Sequence, residues 1–468
     1  MTDKLIAALS DILGPKGVVA PGPDMEGYLE ESRDLYRGEA LAVAKPATTD
    51  ETAAVVRLCA QSGLPIFPQG GNTGLVGGAV AEGGVILSTE RLNRIREIDP
   101  LNMTMTVEAG VILQNVQVAA DEADCLFPLS LAAEGTCRIG GNIATNAGGT
   151  AVLRYGNTRE LVLGLEVVTA EGEVWNGLRG LRKDNTGYDM KQLFIGSEGT
   201  LGIITAAVIK LFPKPSARAT ALAACPDLDS LMKLFNVARI RAGDSLTAFE
   251  MMARFSVEVV TRHMEGLRDP FDDAHDWYAL VELTSSRPDD SLEELLETVL
   301  GEAFESEWVT DAVIASSLTQ AEELWRLRES ISEAQKHEGG SIKHDVSVPV
   351  SKVAHFIMRG MELVSEAMPG VRPCPFGHIG DGNIHFNLTQ PEGMDKAAFL
   401  DQWEPMNRIV HDLVIDLGGS ISAEHGIGKL KRDELAHYAP DVEIRMMRAV
   451  KAALDPNNIM NPGKVVPE

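Results

Sequence analysis

Apolar residues at positions 5, 6, 9, 12 and 13 recur at helical spacing, which predicts an amphipathic helix at the start of the chain. The stretch Thr319–Ala334 predicts a longer helix in the second half. A period of two marks the strands. Ile384, Phe386 and Leu388 alternate with Asn383, His385 and Asn387, so a strand there buries the first set and aims the second at one space. Ser341–Pro349 alternates as well, and Trp277–Leu283 reads as a strand. In the first half, paired glycines (70 and 71, 77 and 78, 83 and 84, 140 and 141, 148 and 149) separate short β-like runs such as Gly84–Ser88 and Leu161–Val168. Short strands joined by glycine-rich loops predict a backbone cradle for a large cofactor. A Pro-Lys-Pro break at 213–215 ends this region. The expected division is 1–215 for the cofactor domain, 216–451 for a second, α+β domain, and 452–468 for a turn-rich tail that packs back on the first.

Composition narrows the partners. The chain has 468 residues, 44% hydrophobic and 24% charged, as in ordinary globular proteins, and its length allows two or three full cores. A net charge of −26 argues against nucleic acid or an anionic membrane surface, both of which repel it. An anionic substrate therefore needs individually placed cations. The five cysteines, at 59, 125, 137, 225 and 374, never form Cys-x-x-Cys, which suggests neither a disulfide framework nor a cluster and fits a reducing cytoplasm. The N-terminal helix lacks the basic leader of a signal peptide, and no run reaches the ~18 to 20 apolar residues of a membrane span.

Two short stretches in the last quarter, Phe376-Gly-His-Ile-Gly-Asp-Gly-Asn-Ile-His-Phe-Asn387 and Ser422-Ala-Glu-His-Gly-Ile-Gly-Lys429, set three histidines and a glutamate in glycine-cleared backbone. Glycines at 377, 380 and 382 permit the tight turn that brings His378 back beside His385. Two imidazoles and the Glu424 carboxylate make a two-nitrogen, one-oxygen set suited to a catalytic divalent ion. His425, next in the chain, is left over as a base. The cations to consider are Arg328, which shares a helical face with Ser332, and Lys343 in the alternating run.

Three loops form the predicted cradle. Pro68, Gln69, Gly70, Gly71, Asn72, Thr73 and Gly74 open the first, which has neither the dinucleotide Gly-x-Gly-x-x-Gly spacing nor a Walker lysine. The second supplies Gly135, Thr136, Gly140, Gly141, Asn142, Thr145, Asn146, Gly148 and Gly149. The third supplies Glu198, Gly199, Gly202 and Ile203, and the tail adds Asn461.

These loops, with Lys183-Asp-Asn-Thr-Gly-Tyr-Asp189 between the second and third, resemble the FAD-binding domain of the vanillyl-alcohol oxidase and p-cresol methylhydroxylase superfamily. Gly-His-Ile-Gly-Asp-Gly-Asn-Ile-His, Glu-His-Gly-Ile-Gly and Asn-Pro-Gly-Lys resemble the motifs of its FAD-linked D-2-hydroxyacid dehydrogenases, most of all the D-2-hydroxyglutarate dehydrogenases. The resemblance covers nearly the whole chain. It implies an α+β fold: a two-part FAD-binding domain of the p-cresol methylhydroxylase type, an α+β cap for substrate and metal, and a tail returning to the FAD domain. It implies zinc, or another divalent ion such as manganese, on His378, His385 and Glu424, with His425 as the general base. Arg328 and Asn387 are implied to hold the carboxylate beside the reacting carbon, and Ser332 and Lys343 the distal carboxylate. Many superfamily members link the flavin through a histidine where this chain has Asn72, so FAD is expected to be non-covalent. Electrons are expected to pass to an electron-transfer flavoprotein or a quinone-linked acceptor, and a homodimer is compatible with the sequence. D-Lactate, glycolate or D-malate as substrate stays open, as does a non-catalytic FAD-binding electron carrier.

Overall fold

The break at 213–215 coincides with a division of the chain. In the computed structural model, which describes residues 2–467, unit 1 comprises the chain up to Gly149, Tyr155–Lys214 and the chain from Glu424 on; unit 2 comprises Thr150–Arg154 and Pro215–Ala423.

Unit 1 begins with α1 (Thr2–Leu13), which buries Leu5, Leu9 and Leu13 as the spacing predicts. Strands β1 (Val18–Val19) and β2 (Ala42–Ala44) follow, then α2 (Thr49–Ser62), whose N-terminus is capped by the Thr48 side chain accepting from the Glu51 N–H. Next come β3 (Ile66–Gln69) and β4 (Val85–Ser88). These strands form one sheet in the order β1-β2-β4-β3, parallel across β2, β4 and β3. The leucines of α1 pack with Val55, Val56, Ile66 and Leu87, each fully buried aliphatic contributing roughly 1.5–3 kcal/mol. A second, antiparallel sheet contains β5 (Ile95–Asp99), β6 (Thr104–Glu108), β7 (Val162–Val168), β8 (Val174–Gly177) and β9 (Ile203–Lys210), in the order β5-β6-β9-β7-β8. The C-terminal segment lies along β3: Met460 bridges Ile66, and the Asn461 N–H donates to the Ile66 carbonyl (2.8 Å).

Unit 2 is built on one antiparallel sheet of β10 (Ala217–Cys225), β11 (Leu246–Ala253), β12 (Trp277–Ser285), β13 (Asp311–Ile314), β14 (Ser341–Ile342), β15 (Asp345–Ser347), β16 (Arg372–His378) and β17 (Asn383–Thr389). The order is β13-β10-β12-β11-β16-β17-β14, with β15 also paired to β17. One face carries Phe249, Met251, Ile384, Phe386 and Leu388 into a core with Leu231, Leu300, Phe356 and Val410 from the helices. The opposite face packs Met252, Tyr278, Leu280 and Phe376 against α3 (Arg254–His263), α4 (Leu318–Glu329) and α5 (Ile331–Ala334).

Two predicted elements are interrupted. The helix over 319–334 breaks at Ser330, whose ψ of −6° ends α4 and starts α5. Around this turn Arg328, Ile331 and Ala334 are buried and Ser332 is exposed. The alternating run from Ser341 is two short strands, β14 and β15, with Lys343 and His344 between them.

Candidate functional site

In unit 1 the first glycine loop leaves the end of β3 and meets the second backbone to backbone. A Cβ at Gly71 would lie 2.2 Å from the Thr136 carbonyl oxygen, so only glycine allows the approach. The loops enclose a cavity of about 330 Å³ whose wall includes Pro68–Gly74, Gly140, Gly141, Asn142, Thr145, Gly148, Glu198, Gly199, Gly202 and Ile203. Gly135, Thr136, Asn146, Gly149 and Asn461 are not among the residues that line it. The Asn461 Nδ2 donates to the carbonyls of Gly78 (2.9 Å) and Glu198 (2.7 Å), tying the first loop to the third. Asn146 accepts the Arg159 N–H at 2.9 Å. The wall also holds Leu131, Ala132 and Ala133, which carry no glycine or motif signal, and Arg138. Arg138 donates through Nη1 to the Gly110 carbonyl (2.5 Å), while its buried Nε has no hydrogen-bond partner among the described residues. A cleared backbone with a spare buried cationic donor fits a phosphate-bearing cofactor. Asn72 sits in the left-handed region (φ 53°), its Nδ2 donating to the Glu30 carbonyl at 2.6 Å.

Glu424 and His425 line the same cavity. The carboxylate of Glu198 draws their loop in, accepting the N–H groups of Ile427 (2.8 Å) and Gly428 (2.9 Å). Gly428 has φ 52°, and a Cβ there would lie 2.3 Å from the Val76 carbonyl oxygen. Burial pushes Glu198 up to about 7, against the pull of those two N–H groups and of Lys431 and Lys464. Sequence reading assigns Glu198 to the cofactor; in the fold both its oxygens are engaged by the loop that carries His425.

In unit 2 the predicted hairpin is formed by β16 and β17, with His378 opposite Asn383. Gly377 (φ 155°) and Gly382 (φ 85°) take conformations open to glycine, and a Cβ on Gly382 would lie 2.2 Å from the Val348 carbonyl oxygen. The His378 and His385 rings are 5.8 Å apart between centroids. Cross-strand neighbours share a face of the sheet. His385 stands between Phe376 on β16 and Asp345 on β15, and Asn387 lies opposite Cys374. Continuing the β15–β17 register sets Lys343 across from Asn387, consistent with the Phe386 N–H donating to the His344 carbonyl at 3.0 Å. One face thus gathers His378, His385, Asn387 and Lys343.

Two residues missed in the sequence hold this face in place. Gln335 accepts from the Asn387 Nδ2 (2.9 Å) and donates to the Thr389 hydroxyl (2.7 Å). Glu250 on β11 is 1% exposed, with Oε1 2.6 Å from Nδ1 of His378 and Oε2 accepting from Nε of Arg328 at 2.9 Å. Burial alone would raise the Glu250 carboxyl, but the adjoining His378 and Arg328 outweigh it and hold it well below the usual carboxylate range. Its signal was a lone acid in the apolar run Ala248-Phe-Glu-Met-Met-Ala253. Arg328 is buried, its guanidinium 4.8 Å from the Phe376 ring centroid. Asp381, in the hairpin turn, is pushed up to about 6 by burial.

Residues 214–465 match the family of FAD linked oxidases, C-terminal domain, and residues 40–177 match an FAD binding domain. A D-2-hydroxyglutarate dehydrogenase of Xanthomonas citri pv. viticola is 40% identical over 466 residues, covering 99% of this chain and 97% of the relative. A mitochondrial D-2-hydroxyglutarate dehydrogenase of Arabidopsis thaliana is 39% identical, covering 100% of this chain and 82% of the relative. The solved structure of p-cresol methylhydroxylase with substrate bound superposes with a TM-score of 0.75 at 18% identity, covering 99% of this chain and 96% of that one, a likeness of fold.

Proposed function

We propose a substrate and a mechanism on the premise that the chain belongs to the FAD-linked oxidase family, has D-2-hydroxyglutarate dehydrogenases among its full-length relatives, and is a FAD-dependent dehydrogenase. The reaction is oxidation of D-2-hydroxyglutarate to 2-oxoglutarate, with the electrons passed on to an electron-transfer flavoprotein or a quinone-linked acceptor. The observation that carries it is the single sheet face bearing His378, His385, Asn387 and Lys343, two imidazoles beside groups that bind carboxylates. FAD, when bound in the unit 1 cradle, supplies a hydride acceptor at its N5 atom. His378, His385 and Glu424 would hold a divalent ion, zinc or manganese, which would supply charge stabilisation to the reacting oxygen. The Ala423 N–H donates to the carbonyl of Asp345 (3.3 Å), the cross-strand partner of His385, and Glu424 is the next residue.

His425 takes the proton of the α-hydroxyl group. Arg328 uses one of its five N–H donors on Glu250 and keeps its Nη groups for the carboxylate beside the reacting carbon, which Asn387 also holds. Lys343, with Ser332, takes the distal carboxylate. No helix among the described residues is long and apolar enough to cross a membrane. The cysteines are buried and free, which supports a reducing compartment such as the cytoplasm.

FAD is held without a covalent bond, since Asn72 offers no imidazole and its amide is occupied by the Glu30 carbonyl. Acid precipitation is expected to release the yellow colour into the supernatant; colour retained in the pellet contradicts this.

Lys343 decides the substrate. Losing a charge-assisted hydrogen bond to a distal carboxylate costs about 1.5 to 3 kcal/mol, or roughly 10- to 200-fold in kcat/KM. Lys343→Met is expected to lose that much on D-2-hydroxyglutarate and far less on D-lactate, which has no distal carboxylate. Equal losses on both substrates move Lys343 to the shared carboxylate or the scaffold, and a parent enzyme that prefers D-lactate replaces the substrate assignment.

A further inference from the structure

We infer that Glu250 is a positioning residue shared by His378 and Arg328, so that the metal ligand and the substrate-carboxylate arginine are set by one buried carboxylate. The inference rests on the roles proposed above for those two residues.

Glu250 has neighbours in the strand, Phe249 and Met251, that turn into the core on the opposite face, while Glu250 itself faces His378 across the β11–β16 pairing. A carboxylate 1% exposed in an apolar strand persists only when its charge is matched, and here each oxygen has its own cationic or polarised N–H partner. Toward His378, an acceptor 2.6 Å from Nδ1 keeps the proton on that nitrogen, leaves the Nε2 lone pair as the ligand atom and fixes the ring plane. Toward Arg328, the contact at Nε (2.9 Å) fixes the guanidinium plane from one edge while Phe376 supports its face at 4.8 Å. The remaining donors are thereby pre-aimed. Sharing makes the two partners interdependent: a change that spoils one carboxylate must loosen both the ion and the anionic substrate.

The test is Glu250→Gln in the FAD-loaded enzyme. An amide presents one acceptor and one donor, so it can serve His378 or Arg328 but repels the other N–H, and it carries no charge. Zinc affinity, read by competition with a chelating dye without substrate, is expected to weaken about 10- to 100-fold. The affinity for 2-oxoglutarate, read from the perturbed flavin spectrum, is expected to weaken about 10-fold or more in the same variant, with FAD content unchanged. Glu250→Asp keeps the charge with a shorter reach and should regain part of both, which also covers a glutamine variant that fails to fold. A lowered melting temperature with both affinities at parental values assigns Glu250 to the scaffold and overturns the inference. So does a loss confined to one ligand. A parent protein that binds no zinc overturns the metal reading itself, and this inference with it.

Discussion

Replacing His425, the proposed general base, by alanine is expected to lower kcat about 10²- to 10⁴-fold, the range a positioned general base contributes, without loss of FAD or of a metal on the proposed ligands. His425 lines the cavity of unit 1, on a loop fixed by the Glu198 carboxylate through the N–H groups of Ile427 and Gly428. Because those anchors follow the histidine and do not use its side chain, truncation should leave the loop and the cradle in place. The loss therefore falls on the proton-transfer step, with kcat and kcat/KM reduced together. Near-normal kcat at neutral pH in the alanine variant assigns the base to another group.

Removing a metal held by the proposed ligand set is expected to cost most of the turnover and to leave FAD bound. Charge stabilisation at the substrate oxygen is worth several kcal/mol, so a chelated sample should lose roughly two orders of magnitude or more in rate, recovered on adding zinc or manganese. Flavin retention is expected because two of the three proposed ligands, His378 and His385, belong to the β16–β17 hairpin of unit 2, and Glu424 alone borders the cradle of unit 1. Full activity in a demonstrably metal-free sample excludes the ligand set as proposed.

Much of this was legible in the chain because strict local rules govern it. The alternation from Asn383 to Leu388 survives intact as β17, since Ile384, Phe386 and Leu388 have a core to enter on one side while His385 and Asn387 stand on the face of His378 and Asp345. The glycine loops were legible because close backbone approach, as at Gly71 against Thr136, admits no side chain. Long-range pairings were not. Glu250 is 128 positions from His378 and 78 from Arg328, and no local periodicity links them. The turn at Ser330 has no proline or glycine to announce it; tertiary packing of Arg328 and Ile331 overrides helical propensity there. Likewise the wall residues Leu131, Ala132 and Ala133 read as an ordinary apolar run.

The most direct test of the proposed reaction is anaerobic mixing of the FAD-loaded enzyme with D-2-hydroxyglutarate while following the yellow flavin absorbance. The account predicts rapid bleaching with formation of one 2-oxoglutarate per flavin and no bleaching by the L-enantiomer; a flavin that stays oxidised in saturating D-2-hydroxyglutarate contradicts it.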